Sequence, residues 1–163
     1  CTSQQMPYVA EKFKDYHSFA SSKLLDILPE DKVDSAVVYE INNFESIILI
    51  NEDGMLNPQS LPTQAQVSPI KGSLIDDFNE DGFKDILVVG NHYGVEVETI
   101  RYDAGYGMLL LGDGNNSFKA LPAGNSGLHI PLDSRSIQAI KIKNEQVIVI
   151  TNNSASLNLL LNN

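Results

Sequence analysis

From residue 35 onward the chain is written as short aliphatic runs separated by Asn, Asp and Gly. The runs are Ala36–Ile41, Ser46–Ile50, Gly72–Asp76, Asp85–Val89, Gly107–Leu111, Ile137–Ile142, Gln146–Ile150 and Leu157–Leu161. Each has the length of one strand, and most are rich in Val, Ile and Leu, whose side chains suit a pleated surface. Continuous apolar runs, rather than strict alternation, imply strands covered on both faces. Stacked propeller blades would cover them in that way, and the pattern points to a mainly β fold.

The runs also repeat. IILINEDGMLNPQSLP at 47–62 matches MLLLGDGNNSFKALP at 108–122: an aliphatic strand, a Gly-bearing acidic turn, then a polar strand ending in Leu-Pro. NLLLNN at 158–163 reads as the start of a third copy. Asp53-Gly54 and Asp113-Gly114 are tight-turn dipeptides, because Gly tolerates positive φ. A spacing of roughly 50–60 residues suits a four-stranded blade with a loop insertion. The expected fold is therefore a partial β-propeller of about two and a half four-stranded blades, at 35–66, 67–124 and 132–163, with a short N-terminal helical segment at 1–34. A closed ring usually needs at least about four blades. The expectation is thus a fragment of a larger repeat protein whose upstream blades complete it, or open edges paired in another way.

Within residues 5–34, Phe13, Tyr16, Phe19, Leu24, Leu25 and Leu28 recur at helix-like spacings until Pro29. This predicts a short amphipathic helix packing on a sheet edge.

With 163 residues the chain suits one domain with a real core. It carries 21 Asp+Glu against 11 Lys+Arg, a formal charge of −10. Such a surface repels phosphate backbones, whose binding needs basic patches that release counterions, so nucleic acid is not an expected partner. No apolar stretch approaches the roughly 20 residues that span a bilayer. Cys1 is the single cysteine, so neither an internal disulfide nor a Cys-based zinc site is available. At position 1 it reads either as the lipid-bearing end of a processed lipoprotein or as an ordinary residue where a longer chain was cut. His17, His92 and His129 are scattered, and no Ser stands in a G-x-S-x-G setting. The triplets Asn115-Asn116-Ser117 and Asn152-Asn153-Ser154 read as turn chemistry.

The stretch with the clearest chemistry is DFNEDGFKD at 77–85. It places side-chain oxygens at Asp77, Asn79, Asp81 and Asp85, with Gly82 at its sixth position. Calcium is a hard cation that takes 6–8 oxygens, and alternate residues of a tight loop can point at one centre. Gly82 permits the bend that brings the Phe83 carbonyl round as a further ligand. An EF-hand opens in the same way but needs a Glu at its twelfth position. Val88 stands there, and DILVVGN reads as a strand, which excludes the EF-hand. The bland reading is an acidic surface turn.

LIDDFNEDGFKDILVVGN, followed by LLLGDGNNSF, resembles the FG-GAP/VCBS repeat of integrin-like β-propellers. QQMPYVAEKFKDYHSFA, LPTQAQVSPIKG, EVETIRYDAGYGMLLLGDG and SGL…DSRSIQAI are similar to the C-terminal part of long bacterial VCBS-repeat proteins of the ASPIC/UnbV-containing type. The resemblance implies an exported, extracellular or outer-membrane-associated binding module, stabilised by calcium and without established catalysis. It carries the calcium ligands onto Asp77, Asn79, Asp81, Phe83 and Asp85. One calcium is implied, since IKIKNEQ at 140–146 has no Asp where a metal would need it. The resemblance also implies that Cys1 lies within a longer chain.

NHYGVEVETIRYDAG at 91–105 interrupts a blade between two strong strands. Long loops of this kind carry recognition. His92, Tyr93, Glu96, Glu98, Arg101, Tyr102 and Asp103 form a mixture suited to a carbohydrate or protein ligand, aromatic faces stacking and charged groups directing hydrogen bonds. The competing reading is a salt-bridged insertion with Arg101 on Asp103 or Glu98. In a strand, Glu96 and Glu98 would share a face and could form an acid/base pair, as in a polysaccharide-cleaving propeller that uses Glu96, Glu98 or Arg101. Paired acids are common on solvated loops, and the expectation is a non-enzymatic calcium-stabilised binding or scaffold module.

Overall fold

A computed structural model describes residues 2–143 and 145–161. Cys1 and the last two residues of NLLLNN lie outside the described residues, as does Asn144. The chain divides into two compact units, Cys1–Asn43 and Phe44–Asn163.

Among its described residues the first unit holds five short helices: α1 (Thr2–Gln5), α2 (Pro7–Lys12), α3 (Tyr16–Ala20), α4 (Leu24–Ile27) and α5 (Glu30–Asp34). Where the apolar spacing predicts one amphipathic helix, local stop signals divide it. Pro7 opens α2. Asp15 caps α3 by accepting from the Ser18 amide at 2.8 Å, satisfying an N–H that has no intrahelical partner. Pro29 stands immediately before α5. Phe13 and Phe19 meet edge to face with ring centroids 5.6 Å apart. Ala36–Ile41, expected as a strand, forms none, and Val37, Val38, Tyr39 and Ile41 are exposed. Branched side chains favour a strand only where a ladder partner takes the backbone hydrogen bonds and a face is buried.

The second unit is all antiparallel β with short turns of helix. Its described residues form nine strands, β1 (Ile47–Glu52), β2 (Met55–Ser60), β3 (Gly72–Asp76), β4 (Asp85–Val89), β5 (Met108–Gly112), β6 (Phe118–Ala120), β7 (Ser134–Ile142), β8 (Glu145–Asn152) and β9 (Asn158–Leu161). They form three sheets of two, four and three strands, ordered β1-β2, β3-β4-β5-β6 and β7-β8-β9. Among the described residues the mainly β class holds, while no closed barrel or propeller forms. The sheets differ in size, and among the described residues only the middle one has the expected four strands.

β4 explains the order of the layers. All five of its residues are buried, as the continuous run DILVV implies. Leu87 and Val89 point one way, into a cluster with Ile137, Ile148 and Ile150 of the third sheet and Ile130. Ile86 and Val88 point the other way, packing with Leu110, Leu61 and Ala65, and Ile48 of β1 joins them. Side chains of successive strand residues leave opposite faces, so the first and third sheets lie on opposite faces of the middle one.

The two matching segments fold alike. In the first, Asp53 and Gly54 take positive φ at the β1–β2 turn; in the second, Gly114 and Asn116 do so between β5 and β6. Leu61 and Leu121 each donate an amide back across the hairpin, to Ser46 and Leu109. After each comes a Pro and a single helical turn, Thr63–Gln66 (3-10) and α6 (Ala123–Ser126).

Candidate functional site

The loop between β3 and β4 is folded around its own side-chain oxygens. Asp77 accepts from the amides of Asp81 at 3.1 Å and Gly82 at 2.9 Å, one through each carboxylate oxygen. The Asn79 side-chain oxygen accepts from the same Asp81 amide at 3.2 Å. Asp81 accepts from the Phe83 amide at 2.9 Å, and its other oxygen takes the Asn79 amide group at 2.8 Å. Short side chains with an oxygen three bonds from Cα make such turns readily, which is why Asp and Asn suit these positions. Glu80 and Gly82 complete the bend with φ of 60° and 89°.

Asp85 is the buried member, at 0% exposure. One oxygen accepts from the Phe78 amide at 3.0 Å and the other from the Gly112 amide at 2.9 Å. A single carboxylate therefore ties the loop to the start of β4 and to the end of β5. Gly112 is required there, because a Cβ would collide with the Lys84 carbonyl. Gly114 leaves room for the Phe83 ring, and its φ of 75° is one that other residues rarely adopt. Asp76, one residue before the loop, accepts from Gln146 of β8 at 3.0 Å and pairs with Lys84 at 3.5 Å. Its hydrogen bonds from Gln146 and from the Asp77 amide hold its carboxyl below the usual carboxylate range.

The donor chemistry suits a hard cation. Asp77, Asn79, Asp81 and Asp85 each offer a hard oxygen, though the Asn79 amide nitrogen donates to Asp81, and each carboxylate oxygen that accepts one amide has capacity for a second partner. Asp77 and Asn79 are brought together on one amide, while Asp85 belongs to the buried end of the loop. Among the described residues, no three His, Cys, Asp or Glu side chains form a group able to hold a metal on their own. A cation here would need Asn79 and the Phe83 carbonyl as well as the carboxylates.

The 91–105 insertion is held at its base. His92 and Tyr102 exchange backbone hydrogen bonds of 2.8 and 3.0 Å, and the His92 ring lies 3.3 Å from the Lys71 ammonium. The Tyr93 hydroxyl donates to the Pro131 carbonyl. The Arg101 guanidinium lies over the Tyr93 ring at 5.1 Å, a cation–π contact. This places Arg101 on an aromatic face rather than on Asp103 or Glu98. Glu96, Glu98, Arg101, Tyr102 and Asp103 are exposed, as are Val97 and Ile100 at the tip.

The sequence reading overlooked Asp133. Its carboxylate is buried, accepts from Arg135 at 2.8 Å and from Asn153 at 3.3 Å, and faces the Tyr93 amide at 3.5 Å. It thus joins the insertion, the approach to β7 and the β8–β9 turn. Burial pushes its pKa up, but the hydrogen bonds from Asn153 and Tyr93 and the Arg135 charge outweigh that and hold it below the ordinary value. A carboxyl that is more acidic folded than unfolded adds stability above its unfolded pKa, and that stability is lost as pH falls through the folded value. Asp76 and Asp133 should therefore make stability drop as pH is lowered past about 4. Asp133→Asn should flatten this drop in urea denaturation at pH 3–6; an unchanged pH profile would show that Asp133 takes no part in it.

A small apolar cavity of about 150 Å³ opens near the insertion, lined by residues including Val67, Pro69, Val88, Gly105 and Met108. Among the described residues no helix is long and apolar enough to cross a membrane. Comparison with family models, curated proteins and solved structures finds no match to this chain.

Proposed function

We propose that this chain is a non-catalytic, calcium-stabilised binding and scaffold module of an exported bacterial protein, built from FG-GAP/VCBS-type propeller blades. The observation that carries this reading is the loop from Asp77 to Asp85, whose oxygens turn inward on the loop's own amides and which runs directly into the fully buried β4. A loop continuing into a helix would have favoured an EF-hand instead. The alike folding of 47–62 and 108–122 and the face-to-face layering of the sheets support the blade reading.

Calcium would be held by the side chains of Asp77, Asn79, Asp81 and Asp85 with the Phe83 carbonyl, and would neutralise three carboxylates placed within nine residues. Its role is folding stability: an ion that binds only the native loop shifts the equilibrium toward it. The binding face is the 91–105 insertion, where Tyr93 stacked with Arg101, together with Glu96, Glu98, Tyr102 and Asp103, would meet a carbohydrate or protein ligand outside the cell.

At a hundredfold excess over Kd, calcium should add about 2.7 kcal/mol. For a domain of this size that is a rise in Tm of roughly 5–10 °C. Melting with and without a chelator measures it. Asp81→Ala should remove the calcium-dependent rise, and a wild-type Tm indifferent to chelation would rule the metal out.

A further inference from the structure

Val37, Val38, Tyr39, Ile41 and Phe44 are large apolar side chains close together in the chain, and all are 66–89% exposed. From Val37 to Phe44 the chain forms no helix, strand or turn. Residues 37–42 make no hydrogen bond either, through backbone or side chain. Branched and aromatic side chains resist helix formation, and here no ladder stands beside them to make a strand. The backbone is left with its N–H and C=O groups open.

A backbone in this state can be gripped by another protein, whose main chain supplies the hydrogen bonds and whose pockets take the side chains. An endoprotease holds its substrate in that way, with one pocket for the side chain before the bond it cuts. Whether an exposed bond is cut depends on the burial and hydrogen bonding of its own backbone. Among the described residues, the most exposed Tyr and Phe side chains are Tyr16, Tyr39 and Phe44, at 94%, 89% and 87%. Tyr16 is wound into α3. Tyr102, at the insertion, exchanges both of its backbone groups with His92. Only Tyr39 and Phe44 join an open aromatic side chain to a backbone outside helix, strand and bridge. Val37 and Val38 leave opposite sides of an extended chain and both are bare, so the run offers no single apolar face of the kind a strand added over a core would present. That favours a protease over a strand-adding partner.

We infer that Val37–Phe44 is a cleavage site for an endoprotease with a deep apolar primary pocket, cut after Tyr39 or Phe44 while the chain is folded. At the first position, water splits the bond between the Tyr39 carbonyl carbon and the Glu40 nitrogen. The carbon takes the hydroxyl and the nitrogen takes the hydrogen, leaving a new carboxyl end and a new amino end. The nine strands that follow hold their backbones in ladders, so the rest of the chain should resist the same enzyme. The inference does not depend on the loop holding calcium.

Trace chymotrypsin on the full chain under native conditions, with mass spectrometry of the products over time, tests it. The first cuts should fall after Tyr39 or Phe44, and a piece running from Glu40 or Glu45 to the end of the chain should persist. The double variant Tyr39→Asp, Phe44→Asp should lose both cuts; the two side chains are exposed, and circular dichroism checks that the variant folds. Leu110→Ala loosens the core of the second unit and should leave the rate of the first cut unchanged, because a bond open in the native state needs no unfolding to be reached. Ile86→Val takes its place if Leu110→Ala does not fold. A first cut after Tyr16, Tyr102 or Tyr106 overturns the inference. So does a first cut that Leu110→Ala accelerates, since the bond would then be reached only through unfolding. Bonds after Tyr39 and Phe44 that last as long as those inside the strands also overturn it, as they would if a partner's strand covered the run.

Discussion

Asp85→Ala should destabilise the fold by about 2–6 kcal/mol, because it strips the acceptor from two backbone amides and each orphaned buried donor costs about 1–3 kcal/mol. The two amides are those of Phe78 in the loop and Gly112 on β5, and the carboxylate between them is 0% exposed. The loss should appear in urea denaturation both with calcium and with a chelator, since the amides are orphaned in either case. Asp85→Asn keeps one acceptor oxygen and should fall between. A variant within 1 kcal/mol of wild type would mean that other groups pin the loop to the sheet.

Leu110→Ala is the second large effect expected. Leu110 is 0% exposed, in the cluster with Ile86, Val88, Leu61 and Ala65 that joins the middle sheet to the first hairpin and the turn after it. Removing a buried Leu side chain costs about 2–5 kcal/mol, the transfer free energy plus the cavity left behind. Ile75, on β3 and 57% exposed, is the internal contrast: its truncation should stay within about 0.5 kcal/mol. Equal effects at the two positions would contradict the two-sided burial of the middle sheet. Total stabilities of about 5–15 kcal/mol make the Leu110 change decisive for folding at moderate temperature.

The middle sheet was the most legible part of the sequence. Gly72–Asp76 and Asp85–Val89 form strands at the limits read from their aliphatic runs, since a five-residue run with Gly or Asp at its ends has little alternative. That the segment joining them is a loop was legible too, because Asp, Asn and Gly make turns that need no distant partner. Ala36–Ile41 misled for the opposite reason: its composition is that of a strand, but a strand exists only with a ladder beside it. The helical segment was legible in kind and not in extent, because caps and prolines divide what apolar spacing joins. Asp133 and the grip of Gly112 on Asp85 left no local signal. Both depend on residues 20 or more positions apart, Asn153 on Asp133 and Gly112 on Asp85, which only the assembled sheets bring together.

The most direct measurement of the central claim is an amide spectrum of the ¹⁵N-labelled chain during calcium titration. Asp81, Gly82 and Phe83 donate their amides to the oxygens that would hold the ion. Their resonances should move and saturate at one equivalent, with those of Phe78 and Gly112 following through Asp85, while the amides of the exposed residues Val97 and Ile100 stay in place. Resonances of the loop that remain unmoved at saturating calcium would contradict the claim, and the loop would then be a turn closed by its own hydrogen bonds alone.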